Sequence, residues 1–268
     1  MSTSNSIAGC RIDPDKDGRE RRMARLTSKA IIVTGAARSI GKGIAERIAA
    51  EGGALLLVDK DPAVESVARD IGCPFLIADI CDAGSADAAI EAIVAHAGGL
   101  HGLVNNAGIV PEGDLLETSD ETLASALAVN LVAPSVWARA AIPVMVKQGG
   151  GSIVNISTIE AAQVRPKHLA YVVSKSGLNS LTRSIACDFG RQGIRCNTIS
   201  PGSIKSDLFD AYAARYPGVE EKLIGLNYAG RLGTIEEVAA ACTYLLSDDT
   251  PFLNGHDLII DGARTIAT

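Results

Sequence analysis

Residues 30–59 read AIIVTGAARSIGKGIAERIAAEGGALLLVD, and the order of their parts decides the fold. A short apolar run, Ala30–Val33, enters a turn that carries Gly35 and Gly41. Apolar residues then recur at helical spacing through Gly41–Glu51, and a second apolar run, Ala54–Asp59, ends on a carboxylate. Strand, glycine-rich turn, helix and strand in that order make a βαβ unit. Unbroken apolar runs such as KAIIV and ALLLV suit strands covered by helices on both faces, as parallel sheets require.

The alternation continues outward from this unit. Further strands are expected at Pro74–Ala78, Gly102–Asn105, Ser152–Ser157, Ile194–Ile199 and Leu258–Ile260. Helices are expected at Ala63–Asp70, Ala83–Ala97, Asp120–Val146, Tyr171–Arg191 and Ile235–Leu246. Pro134 and Pro143 should cap or bend the fourth of the chain's helices, because proline removes a donor and crowds the preceding turn. From Gly202 to Gly230 no strand is evident, and long segments of that kind often form lids. The expected fold class is α/β. It is a single doubly wound Rossmann domain over residues 26–268, with a seven-stranded parallel sheet, helices on both faces and a substrate-loop region at about 203–230.

Bulk composition narrows the function classes. With 268 residues, 47% hydrophobic and 21% charged, the chain supports a large core and excludes global disorder. A net charge of −6 argues against a nucleic-acid partner, which would demand a basic face. Cys10, Cys73, Cys81, Cys187, Cys196 and Cys242 include no C-x-x-C pair and are read as buried free thiols of a reducing compartment. The four histidines share no ligand spacing with them, so no metal is expected. No stretch reads as long and apolar enough to span a membrane. The opening MSTSNSIAGCRIDPDKDGRERRMAR lacks an apolar leader. Residues 1–25 therefore read as a flexible tail, Met1 and Met23 as alternative starts, and the protein as cytoplasmic.

A glycine turn at the start of a helix lets backbone N–H groups approach a pyrophosphate, whose charge the helix dipole favours. Asp59, 18 residues beyond Gly41 at the end of the second strand, is placed to accept hydrogen bonds from adenosine ribose hydroxyls and to repel a 2′-phosphate. Arg38 in the same turn could pair with that phosphate. NAD is the expected cofactor on the position of Asp59, with NADP second.

The turn resembles T-G-x-x-x-G-x-G of the short-chain dehydrogenase/reductase family, and the resemblance continues along residues 29–262. It is carried by ADI at 78–80, NNAG at 105–108, VNL at 129–131, SIVNIST at 152–158, YVVSK at 171–175 and NTISPG at 197–202. The resemblance implies that Gly35, Arg38, Ser39, Ile40 and Gly41 hold the cofactor's phosphates, and that Asp79 and Ile80 meet its adenine. It implies further that Asn106, Ala107 and Gly108 pack beside the cofactor, and that Pro201, Gly202, Ile204 and Ser206 flank the nicotinamide. Ser206 stands where the family has threonine and keeps the hydroxyl. A homo-oligomer, tetramer or dimer, is also implied. Val136, Trp137, Leu178 and Leu181 are compatible with such an interface and equally with core.

Tyr171 and Lys175 lie four apart on an expected helix and so share a face. Oxidising an alcohol needs a base for the hydroxyl proton. A phenol is too weakly acidic for that at neutral pH unless a nearby ammonium stabilises the phenolate. The resemblance gives Lys175 a second role at the nicotinamide ribose and makes Asn130 the anchor of a water chain to it. Thirteen residues before the tyrosine the family has serine. Here that position is Thr158, preceded by Ser157. Threonine keeps the donor and acceptor needed at a developing alkoxide, while its methyl stiffens the rotamer. The chain's last residues, DGARTIAT, carry Ala263 where the family has a second glycine after DG.

The activity implied is interconversion of a secondary alcohol and a ketone. A non-catalytic dinucleotide-binding or regulatory protein on the same fold is the alternative, against which the retained tyrosine, lysine and asparagine argue. Substrate choice falls to Glu160, Gln163, Arg165 and His168, to Pro111 and Glu112, and to Asp207, Phe209, Tyr212 and Tyr216. Their polarity suits a small-molecule polyol, sugar or hydroxylated ring, although charged side chains are mostly water-facing rim residues. On this reading Thr158→Ala lowers turnover at least about a hundredfold and Ser157→Ala leaves it near the parent value. The reverse pattern in steady-state kinetics would overturn the assignment.

Overall fold

The structure is a computed structural model and describes residues 24–266. Most of the expected tail, Met1, Met23 and Cys10 lie outside the described residues. Arg25 lies within them, and its guanidinium is 2.7 Å from the buried Glu51 carboxylate and donates to the Thr243 hydroxyl.

Seven strands form one all-parallel sheet: β1 (Ala30–Thr34), β2 (Ala54–Asp59), β3 (Phe75–Ile77), β4 (Gly102–Asn105), β5 (Gly151–Ile156), β6 (Ile194–Pro201) and β7 (Asp257–Ile260). Their order is β3-β2-β1-β4-β5-β6-β7, so the chain reverses its direction of winding between β1 and β4. Alternation along each strand divides the core. Ile31 and Val33 of β1, with Leu55 and Leu57 of β2, face helices α1 (Ser39–Ala50), α2 (Val64–Ile71) and, past the sheet's middle, the late helix Ile235–Leu246. Ala30 and Ile32, with Leu56 and Val58, face α3 (Ser85–Ala97) and the helices that follow β4 and β5. Both faces being covered is the physical reason the strands are continuously apolar.

The long helix after β4 is interrupted. Ser119 caps α4 (Asp120–Leu127), a π-helical turn spans Ala128–Val132, and α5 (Ala133–Lys147) follows with Pro134 in its first turn and Pro143 inside it. The run Asp120–Lys147 is, by length and composition, apolar enough to cross a membrane, which corrects the expectation that no stretch is. Its apolar face explains this: Trp137, Ala138, Ala141, Ile142 and Met145 are buried against the sheet, as in the core helix of a doubly wound domain.

After β5 come α6 (Leu169–Phe189) and β6. The expected lid is helical: α7 (Asp207–Arg215) and α8 (Val219–Leu226) pack Phe209 and Leu223 with Leu232 into a small core of their own. Periodicity missed both helices, whose buried apolar residues Phe209 and Leu223 pack on Leu232 in a small separate core rather than on the sheet. The last helix, α9 (Ile235–Leu246), begins with a capping box of Thr234 and Glu237. Among the described cysteines, only Cys196 and Cys242 are buried free thiols; Cys81 and Cys187 are exposed and Cys73 half-buried, which corrects the reading of all as buried. Trp137 and Leu178 belong to the core, whereas Val132, Val136 and Val173 are exposed.

Ala263 has φ +67°, the left-handed region that costs a non-glycine residue about 1–2 kcal/mol. Glycine's extra freedom in the unfolded chain returns about 0.4–1 kcal/mol of that. Ala263→Gly is therefore expected to raise the melting temperature by about 2 °C; calorimetry finding a lower melting point would contradict the strain.

Candidate active site

Every sequence-predicted site residue lies at or beyond the C-terminal ends of the strands, the edge at which open α/β sheets bind ligands near a change of winding direction. Gly35 follows β1, and Ser39, Ile40 and Gly41 open α1. A Cβ on Gly41 would stand 2.0 Å from the Gly35 carbonyl oxygen, so only glycine lets the helix start this close to the turn. No side chain caps the N-terminus of α1, and its first turn carries no acid, in contrast to the capped α4, α7 and α9. Its N–H donors are left for an external acceptor. The middle glycine of the T-G-x-x-x-G-x-G pattern is Ser39 in this chain, a departure that the motif reading passes over. Ser39 holds the glycine-like φ of +50°, and its hydroxyl lies 3.5 Å from the Asp207 carboxylate on α7.

Asp59 ends β2 with one carboxylate oxygen accepting from the Ala37 N–H at 2.9 Å and the other from the Asp61 N–H at 2.9 Å. Arg38 is exposed and pairs with Asp61 at 2.9 Å. Asp79 is held below the ordinary carboxylate range by the Cys81 N–H and Lys60, and the next residue's carbonyl, on Ile80, accepts from the Trp137 indole. Asn106 donates to the carbonyls of Thr34 and Gly35 and so ties the turn after β4 to the turn after β1. Thr34 reinforces that tie, its hydroxyl accepting from the Asn106 and Ala107 N–H groups. Its signal in the sequence was the threonine before Gly35, which the motif reading left without a role.

Asn130 sits at the centre of the π-helical turn, a type of irregularity frequent at functional sites. Fully buried, it clasps Ile109 by both main-chain groups and donates to the Ser174 hydroxyl at 3.0 Å. Gly108 is the spacer in front of it: a Cβ there would lie 3.1 Å from Asn130 Oδ1 and 3.4 Å from Lys175 Nζ. Lys175 itself is buried, and its ammonium donates to the Ile156 carbonyl at 2.7 Å.

β5 ends at Ile156, so Ser157 and Thr158 both lie beyond the strand. Ser157 turns inward, its hydroxyl 3.5 Å from the Lys175 carbonyl. Thr158 accepts from the Glu160 N–H at 3.2 Å and stands beside the Tyr171 phenol, whose acidity it favours. Tyr171, half-buried on the first turn of α6, is pushed well above the ordinary phenol range by burial and then by the Glu160 carboxylate, with Thr158 pulling the other way. Lys175 gives one of its three N–H donors to Ile156 and is not among the groups that shift the Tyr171 phenol in this structure. At the far end of the cleft, Pro201 ends β6 and Gly202 follows it, Ile204 is buried, and the Ser206 hydroxyl accepts from the Phe209 N–H to cap α7, its proton free to donate. Of the substrate-loop residues, Glu160, Arg165 and His168 stand together. Gln163 and Glu112 are exposed, and Phe209 is spent on the lid's own core. Among the described residues no group of three or more His, Cys, Asp or Glu side chains is arranged to hold a metal ion.

The comparisons agree with this architecture. A family model described as enoyl-(acyl carrier protein) reductase matches residues 35–264. A D-threitol dehydrogenase of Mycolicibacterium smegmatis is 35% identical over 90% of this chain and 95% of its own. A 2-(R)-hydroxypropyl-CoM dehydrogenase of Xanthobacter autotrophicus is 34% identical over 89% of this chain and 99% of its own. The structure of a short-chain type dehydrogenase/reductase from Mycobacterium ulcerans superposes with a TM-score of 0.86 at 27% identity, covering 90% of this chain and 91% of that one.

Burial pulls Lys175 from its ordinary 10.5 down to about 8, a penalty of ~3 kcal/mol on the folded protein at neutral pH. The unfolded chain binds the extra proton between pH 8 and 10.5, so this penalty fades and stability rises as pH climbs through that window. Lys175→Met is expected to melt above the parent at pH 7, with the gap closing toward pH 10. A gap independent of pH would show that the ammonium is not desolvated.

Proposed function

Because the chain belongs to the short-chain dehydrogenase/reductase family, whose members are NAD(P)-linked oxidoreductases, we propose that it interconverts a secondary alcohol of a small polyol and the corresponding ketone, with NAD as the preferred cofactor. The observation that carries this reading is the placing of Tyr171 one helical turn from the buried Lys175 on α6, with the buried Thr158 just beyond the end of β5.

Tyr171 is the acid/base. Its phenol takes the carbinol proton in oxidation and returns it in reduction, while Thr158 donates to the substrate oxygen and stabilises alkoxide character as it develops. For Tyr171 to ionise near neutral pH its raised pKa must fall, and the group placed to lower it is Lys175, once its ammonium turns from Ile156 toward the phenol and the nicotinamide ribose. Asn130 fixes the floor of the cleft through Ile109 and Ser174. Gly35, Arg38, Ser39, Ile40 and Gly41 would hold the dinucleotide's phosphates. Asp59 would hold its ribose, and Asp79 and Ile80 its adenine. Asn106, Ala107, Gly108, Pro201, Gly202, Ile204 and Ser206 would border its nicotinamide end. The uncapped N-terminus of α1 fits such an anion. When bound, the nicotinamide supplies the hydride acceptor.

Preference for NAD is supported by the Asp59 carboxylate, whose charge would oppose a 2′-phosphate, and by Arg38, whose own charge Asp61 already pairs. A polyol is supported by the polar groups around Tyr171 and by the likeness to a D-threitol dehydrogenase. A homo-oligomer, tetramer or dimer, is supported by the exposed Val132, Val136 and Val173 on neighbouring helices.

Reduced-cofactor formation at mildly alkaline pH, across polyols, cyclic diols and monohydric secondary alcohols with NAD and NADP in parallel, tests the reading. The expected result is turnover with NAD at least about tenfold above NADP, lowered at least a hundredfold or so by Tyr171→Phe. Preference for NADP would overturn the role of Asp59. Tight NAD binding without turnover on any alcohol would favour a dinucleotide-binding protein.

A further inference from the structure

Between β5 and α6 the chain folds back and sets a carboxylate beside the phenol that has to ionise. Only 14% of the Glu160 side chain and 8% of His168 remain exposed. Glu160 Oε2 is 2.8 Å from His168 Nδ1, and the imidazole in turn stands edge-on to the Tyr171 ring at 6.3 Å between centroids. Arg165 lies 3.6 Å from Oε1, near enough to balance charge but too far for a hydrogen bond. It is anchored elsewhere, its guanidinium donating to the Tyr212 hydroxyl and lying 5.1 Å from the centre of that ring on α7. Among the described residues no hydrogen bond from the protein reaches Glu160 Oε1.

For a monohydric alcohol this arrangement is purely unfavourable. The carboxylate's field opposes phenolate formation on Tyr171, and its Oε1 faces only the Arg165 charge at 3.6 Å. Such an oxygen asks for a neutral donor from the substrate. It repels carboxylates and phosphates, and it gains nothing from ethers or carbonyls, which only accept. A hydroxyl on the carbon next to the carbinol meets the requirement, since the group bonded to Tyr171 and Thr158 and the group facing Glu160 would then sit one carbon–carbon bond apart.

We propose that Glu160, oriented by His168, is a specificity-determining residue that accepts a hydrogen bond from the hydroxyl vicinal to the reacting carbinol and selects vicinal diols over monohydric alcohols. The inference rests on the secondary-alcohol reading above and sharpens it to a substrate class. His168 fixes the carboxylate's rotamer, and Arg165, its charge 3.6 Å from Oε1, ties the same segment to α7.

The test compares kcat/KM of the full chain with NAD for butane-2,3-diol and for butan-2-ol, in the parent, Glu160→Gln and Glu160→Ala, with thermal melting to verify folding. The parent is expected to prefer the diol. The ratio of diol to monohydric alcohol should drop about tenfold in Glu160→Gln, where a neutral amide replaces a charged acceptor, and further in Glu160→Ala. An unaltered ratio, or equal losses on both alcohols, makes Glu160 a structural residue and overturns the proposal. A parent that oxidises butan-2-ol as well as the diol also overturns it while leaving the oxidoreductase reading intact. A parent that binds NAD but oxidises neither overturns both.

Discussion

The amide of Asn106 donates to the carbonyls of both Thr34 and Gly35, and the geometry of the cleft depends on this tie. At the junction of β1 and β4 the sheet changes its direction of winding. The chain leaving β1 climbs to one face and the chain leaving β4 climbs to the other, so a crevice opens between them. Left alone, two diverging turns with several free N–H groups would splay. The Thr34 hydroxyl and the Asn106 amide cross-link them, and the Gly41 start of α1 is thereby held against Gly35 with no room for a Cβ. The uncapped helix N-terminus, the Asp59 carboxylate and the Gly108 spacer take their places relative to that clamp.

A second constraint runs through the buried polar interior. Asn105, Asn155 and Thr198 are in register across β4, β5 and β6, linked by the Asn105–Asn155 hydrogen bond at 2.8 Å and by Thr182, which bonds both Asn155 and Thr198. This ladder joins α6 to the sheet directly below the turn that carries Tyr171 and Lys175. Satisfied networks of this kind are rigid and specify one arrangement, whereas a broken one leaves buried groups unpaired. Asn130 does the same on the other side through Ser174 and Ile109. Between these two supports Lys175 is kept dry, at a cost in stability.

Around that rigid floor the rim of the cleft is built differently. The 158–168 segment and the α7–α8 unit meet through Arg165 and Tyr212, and Ser39 reaches α7 through Asp207. These contacts are few and polar, and the α7–α8 unit keeps a small core of its own.

Residues 30–59 alone were enough to place the first βαβ unit, and the unbroken apolar runs after them led to the seven-stranded parallel sheet, because strands covered on both faces leave a one-dimensional trace in the chain. The positions of Gly35, Asp59, Tyr171 and Lys175 were legible for a related reason, since close backbone approach, a charge at a strand's end and a four-residue helical repeat are local requirements, whereas Thr158 was singled out by the family's spacing alone. Short helices such as α7 and α8, stabilised by contacts to Leu232 rather than by periodicity, were not legible. The length of Asp120–Lys147 was legible, but that so apolar a helix is a core helix was not, because its burial depends on the sheet. The commitment of the Lys175 ammonium to Ile156, the rise of the Tyr171 pKa, the pairing of Arg38 with Asp61 and the seating of Glu160 between His168 and Tyr171 were decided by tertiary structure alone. Each depends on the separation and desolvation of groups distant in sequence or on different turns, and a linear pattern carries neither quantity.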